Sequence, residues 1–380
     1  EGVRYRQENF AVLLDHSEGD QRGDETTVML GRVVLTNPEE NPITAHLWIA
    51  MDHPEELLLD DNGFVLATAD LKPEDGGARR LYESHRLRFY FDSCGKGHQR
   101  ITSTPQWPSV LHYSVDLEPK GEHAIEYRIP FVTLDQDSWE ALQVLDYNAE
   151  RSETVDYWRR QIASGAEIEI PEPLLSNFSK AQFTHVAITA DKDPLTGLTI
   201  VPAATFGYNV CANEAVHQIR SLEVRGYHDR AKDYLEAFVR LQGTRGLHGR
   251  YKSSEGALHG LKVSDDTDYQ TFNYNLDHGF VLWMLAEHYK FTRDREWAGR
   301  VAPSLVAACD FVTRERRATM LNDSRGCRAW EYGLLPEGHL EDPPEFHHWY
   351  AVNSYAARGM REAAEVLADI GHPEAGRIKR

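Results

Sequence analysis

Between residues 330 and 342 the chain gathers four carboxylates, Glu331, Glu337, Glu341 and Asp342, among Trp330, Tyr332, Leu334 and Leu335. A carboxyl group keeps its proton near neutrality only where apolar or anionic neighbours disfavour its charged form, and it can then act as a general acid. Carboxylates grouped in one aromatic-lined loop therefore point to acid–base chemistry. The bland alternative is a set of solvated surface charges, the usual state of loop glutamates. Pro343-Pro344 break the loop, and the pattern predicts a helix over 346–369 with His347, His348, Trp349 and Tyr350 on its first turn. Connections this long are usually functional or disordered. The Trp, Tyr, Leu and paired prolines argue against disorder.

Further candidates lie where long connections meet helices. Asp277-His278, with Tyr274 and Asn275 beside them, sits at the entry to a helix expected over 276–291. Asp277 reads equally well as an N-cap for its own first-turn amides and as a ligand for a hydroxyl group. Tyr208, Asn209 and Asn213 open an earlier helix and are expected to face the same cleft. Glu214 and His217 lie one step deeper, where core hydrogen bonding is the alternative. Glu255 is a weaker rim acid. Asp265, Asp266 and Asp268 read as a solvated acidic turn, since their spacing lacks the EF-hand pattern. His347 and His348 are adjacent and do not share a helix face, which argues against a metal pair. Neither a metal nor an organic cofactor is expected.

The 380 residues allow two or three domains, and 41% apolar with 27% charged residues is an ordinary globular balance. A formal charge of −19 argues against nucleic acid and against an anionic membrane as partners. No apolar run approaches the ~20 residues that would cross a bilayer. Cys94, Cys211, Cys309 and Cys327 are widely spread without zinc spacing, so buried free thiols are expected. No signal-peptide pattern follows Glu1, and the compartment stays open.

Over 26–116 the hydrophobic period is two. Leu87, Phe89 and Phe91 alternate with Arg86, Arg88 and Tyr90, and Leu111, Tyr113, Val115 and Leu117 repeat the pattern. Turns at Asn37-Pro38, Asp61-Asn62-Gly63 and Pro119-Lys120-Gly121 join such strands into an antiparallel β-sandwich. Residues 138–163 have helical spacing, and 168–173 read as extended. From Asn209 the period becomes 3.6, with helices expected over 209–224, 228–241, 276–291, 295–315 and 346–369, and another from Pro373. Connections alternate between short turns and the long stretches 243–275 and 317–345, the mark of repeated helical hairpins. Long loops then collect on one rim, where function is expected.

The run NLDHGFVLWMLAEHY at 275–289, followed by TRDREW at 292–297, resembles the hairpins of six-hairpin glycosidases, and so does 355–377. That superfamily includes glucoamylase-like, α-L-rhamnosidase-like and cellobiose-phosphorylase-like enzymes, which place an (α/α)6 barrel after a β-sandwich and a linker helix. The resemblance implies a multi-domain β + α protein, with a β-sandwich over 1–137, a linker over 138–175 and a helical-hairpin toroid over 176–380. About half of that toroid is expected within the chain, so that a longer chain or a completion elsewhere is implied. It also implies an inverting glycoside hydrolase with a carbohydrate substrate and two carboxylates on the rim. Trp330-Glu331 is similar to the Trp-Glu at the glucoamylase acid, which ranks Glu331 first, then Glu341, Glu337 and Asp342. The second carboxylate is expected beyond Arg380. Expected substrate contacts are Trp330, Tyr332, Trp349, Tyr274, Asn275, Asp277, His278, Tyr208, Asn213 and Glu255. A disaccharide phosphorylase and a non-catalytic carbohydrate-binding scaffold are the alternatives, and a homo-oligomer is compatible with all three.

Overall fold

A computed structural model describes residues 2–15, 23, 25–50, 57–67, 86–134, 138–193, 196–202, 209–262, 274–341, 343 and 345–380. It divides into two compact units, Glu1–Trp158 and Arg159–Arg380.

The first unit is the antiparallel sandwich. One six-stranded sheet runs β1 (Arg4–Leu13), β2 (Thr27–Thr36), β9 (Glu122–Pro130), β6 (Arg86–Asp92), β5 (Phe64–Ala67), β4 (Leu57–Leu59). A three-stranded sheet runs β3 (Ile43–Ala50), β8 (Val110–Leu117), β7 (His98–Thr102). Val33, Leu35, Phe89, Phe91 and Ile125 of the larger sheet pack with Ala45, Leu111, Tyr113 and Val115 of the smaller one. Strict alternation puts Leu87 on the face of Phe89 and Phe91, but Leu87 packs on the outer layer with Tyr90. The cause is a register shift at Val65/Leu66, where β5 pairs with Phe89 and then Leu87. The extra residue turns the strand over.

A single helix over 138–163 is also corrected. It is two, α1 (Trp139–Val144) and α2 (Tyr147–Ala163). The break falls at Leu145, whose backbone is extended and whose carbonyl accepts from Arg128 Nη2 at 2.7 Å. A buried guanidinium needs acceptors, and this freed carbonyl supplies one. Leu142, Leu145 and Tyr147 then cover Val28 and Leu30 on the outer layer.

The second unit contains α3 (Pro173–Thr189), α4 (Ala212–Glu223), α5 (His228–Arg240), α6 (Leu276–Thr292), α7 (Arg295–Ala318), α8 (Tyr350–Asp369) and α9 (Ala375–Lys379). Periodicity misses α3, because its apolar residues form no stripe. Leu174, Leu175, Phe178 and Ile188 are exposed, while Phe183 is buried against Tyr227. The later helices bury the expected stripes, such as Ala212, Ala215, Ile219 and Leu222 of α4. The exception is α8. The 3.6 period there puts Tyr350, Ser354, Ala357, Ala364 and Leu367 on the inner stripe; Ala364 and Leu367 are buried, but Tyr350, Ser354 and Ala357 are exposed, and Val352, Ala356, Gly359 and Ala363 face inward. Among small residues the hydrophobic period is too weak to set the phase. Of the cysteines, Cys211 and Cys309 are buried as expected, but Cys94 and Cys327 are exposed.

Helix α6 lies between α4 and α8 and is apolar nearly all round, as a helix enclosed on every side must be. Its approach to α8 depends on two glycines. A Cβ on Gly279 would stand 2.5 Å from the Tyr355 carbonyl carbon, and one on Gly359 would stand 3.0 Å from the Gly279 oxygen. Backbone atoms cannot move aside as a side chain can. Gly279→Ala should therefore lower stability by about 1–3 kcal/mol. Gly299→Ala, on α7 with nothing within 4 Å, should raise it by about 0.5–1 kcal/mol. Urea denaturation of the two variants checks the opposite signs.

Candidate functional site

The N-termini of α4, α6 and α8 share one rim with the long connections. Residues 248–250, 337–339 and 347 are laced together there. The Arg250 amide donates to the Glu337 carbonyl at 2.8 Å, the His339 amide to His248 at 3.1 Å, and Gly338 and His347 exchange a pair at 3.2 Å. The Asn275 side chain donates to the His248 carbonyl at 2.7 Å directly beneath. A Cβ on Gly338 would meet Asn275 Nδ2 at 2.3 Å and the His248 oxygen at 2.4 Å, so only glycine allows this crossing.

This lacing corrects the start of the last long helix. Helix α8 begins at Tyr350, not at residue 346, and His347, His348 and Trp349 precede it. His347 is held in the ladder, the Trp349 indole donates to the Gly338 carbonyl at 2.8 Å, and His348 Nδ1 donates to the Leu335 carbonyl at 2.8 Å. Backbone pairing and these anchors outweigh one more helical turn. Trp330 is 79% exposed with its ring edge-on to His348 at 5.4 Å. Glu331 is half-buried in the turn that follows, and Arg328 lies 4.6 Å over the Tyr332 ring. Glu337 pairs with Arg250 at 3.1 Å. Glu255 pairs with Arg314 at 3.7 Å and borders a separate cavity with His372. Tyr274 is half-buried. Tyr208, Asp342 and the Asp265–Asp268 turn lie outside the described residues.

The centre of the rim is a chain of three groups. Asp277 is fully buried, and its Oδ1 accepts the Asn213 amide at 2.9 Å. The carboxyl therefore caps α4, not its own helix, and replaces the cap that Cys211 does not provide. Asn213 Nδ2 in turn donates to Glu341 Oε1 at 2.5 Å. Asp277 Oδ2 and Asn213 Oδ1 have no hydrogen-bond partner among the described residues. Burial pushes the Asp277 carboxyl up to about 8, the Asn213 and Ala212 amides pull it down, and the neighbouring Glu341 raises it again. His278 is turned into the core. Its Nδ1 accepts the Leu258 amide at 3.0 Å, and burial lowers it to about 3, which keeps the ring neutral. Asn275 is buried as well, so neither side chain reaches the rim surface.

Sequence reasoning set Asn213 and Asp277 at one cleft but bonded neither to the other nor to Glu341. Asn213 and Glu341 are 128 positions apart, and Asn213 and Asp277 are 64 apart. The one available signal was a polar residue at the start of each successive hairpin.

No family model matches the chain, and no curated protein matches it in sequence. Among solved structures it is similar to a bacterial glucoamylase complexed with acarbose, with a TM-score of 0.53 at 12% identity over 100% of this chain and 53% of that one. A weaker likeness, TM-score 0.34 at 9% identity, is to a family GH78 rhamnosidase of a Bacillus, over 92% of this chain and 30% of that one. The chain shares its fold with that glucoamylase and spans about half of its length.

The Asp277 carboxyl carries a sign that can be measured. The folded chain holds this proton up to about pH 8, the unfolded chain only to about 3.8. Between these values the folded state binds more protons, so the Asp277 contribution to stability falls as pH rises, by at most about 1.4 kcal/mol per unit. Asp277→Asn keeps an acceptor for the Asn213 amide and removes the titration. Denaturation of both proteins from pH 4 to 9 should show the variant gaining on the parent up to about pH 8 and no further. A constant difference across that range would contradict the assignment.

Proposed function

We propose that the protein is a glycoside hydrolase in which Glu341 is the catalytic carboxylate of the long-loop rim. The observation that carries this is the Asp277–Asn213–Glu341 chain on the long-loop rim. Two carboxyl groups linked through one amide cannot both ionise cheaply, so the pair retains a proton near neutrality; Asp277 holds it, which leaves Glu341 as the ionised member. Asp277, the buried member, caps a helix. Glu341, the half-buried member, stands in the loop. Turning the Asn213 amide over lets its Oδ1 accept from a protonated Glu341, so one residue can hold either protonation state. The carbohydrate class is supported by the fold, since the similar glucoamylase carries acarbose. Glu331 and Glu337 are second candidates. Glu331 is half-buried beside the most open aromatic of the loop, and Glu337 is paired with Arg250.

Hydrolysis of a neutral glycan panel by the full-length protein tests the reading. Glu341→Gln should slow kcat by about a hundredfold or more, whereas Glu331→Gln and Glu337→Gln should cost about tenfold or less. Products should be free sugars with or without added phosphate. A Glu341→Gln enzyme at the parent rate, or turnover that requires phosphate, would sink the proposal.

A further inference from the structure

We propose that the outer face of β3 and β8 in the sandwich is a second carbohydrate site, a stacking surface for a neutral glycan with Trp48 as its platform. Trp48, His112 and Arg100 stand in one row across the three strands. The indole is 52% exposed although it lies flat on His112, with ring centroids 3.9 Å apart and planes 13° apart. His46, two residues before it on the same face, bonds His112 ring nitrogen to ring nitrogen at 3.1 Å. The His46 carbonyl accepts the hydroxyl of Tyr5 at 2.9 Å, and Tyr5 is itself 51% exposed. The platform is thus fixed before any ligand arrives, which limits the ordering cost of binding.

Strand β3 is the edge of its sheet, so among the described residues no further strand lies beside the indole face turned away from His112. A pyranose ring presents a flat patch of C–H bonds with slight positive charge. That patch complements the negative face of an indole. Its hydroxyls would meet His46, two residues along the same strand, at the margin. Burial, then Arg100 and His46, lower His112 below its ordinary value, which favours a neutral ring behind the indole. The −19 charge of the chain repels polyanions, which favours a neutral glycan over an acidic one. A cross-strand aromatic pair that only stabilises the sheet is the competing role. It would show in stability and not in binding.

The choice of a glycan rests on the hydrolase reading, but the surface lies outside the rim site and is tested separately. Affinity electrophoresis of the full-length protein through soluble starch, dextran, mixed-linkage β-glucan and arabinoxylan, with polygalacturonate as the anionic probe, gives the readout. At least one neutral glycan should retard the parent. Trp48→Ala should weaken that retardation about tenfold with an unchanged thermal midpoint, Trp48→Tyr should keep most of it, and Glu341→Gln should bind as the parent does. Equal retardation of Trp48→Ala and the parent, no retardation by any neutral glycan, or retardation by polygalacturonate alone would overturn the proposal. A hydrolytically active Glu341→Gln enzyme would remove the rim assignment and leave the Trp48 result to be read on its own.

Discussion

The rim is organised by a carboxyl group with nowhere to put its charge. Asp277 is fully buried at the first turn of α6, and the groups that reach it are backbone amides of α4 and its surroundings. A helix N-terminus attracts a carboxylate, and a dry interior rejects one. Here burial is the larger effect, so the group sits well above its ordinary value. The capping bond still fixes the start of α4 against the start of α6. Everything nearby is placed by that junction: Asn213 by its capped amide, and Glu341 by the Asn213 side chain.

Two close approaches keep the junction rigid. Gly279 and Gly359 bring α6 and α8 together backbone to backbone. Gly338 lets one long loop cross the other above Asn275. The loops then form backbone pairs, with Trp349 and His348 pinning the approach to α8. A connection that would be costly to order by itself is ordered by its partner loop. That is how a stretch with little core of its own holds Glu341 in a defined place.

The parts of this arrangement that were legible in the sequence share one property: they repeat locally. Phe89 and Phe91 announce a strand, Ala212, Ala215, Ile219 and Leu222 announce a helix, and the alternation of short and long connections announces hairpins. What escaped depends on tertiary contacts. The break at Leu145 needs Arg128, seventeen positions back in the chain. The turn-over of β6 at Leu87 needs an irregular pairing with β5. Helix α3 has no stripe to detect, and α8 starts late because His347 joins a ladder. Asp277 stood out as a cap or a ligand, and the structure makes it a cap, though for α4, because the amides it serves lie 64 positions away. Glu341 was visible as one of four loop acids. Its bond to Asn213 separates it from the others, and no local pattern carries that bond.

The claim that ties these points together is that Asp277 holds a proton near neutrality because it is buried beside Glu341. Titration of the Asp277 carboxyl carbon by nuclear magnetic resonance, in the parent and in Glu341→Gln, measures this directly. The account predicts a midpoint near 8 in the parent and a lower one in the variant, where the neighbouring charge is gone. A midpoint near 4 in both proteins would mean that the amides outweigh burial, and it would contradict the account.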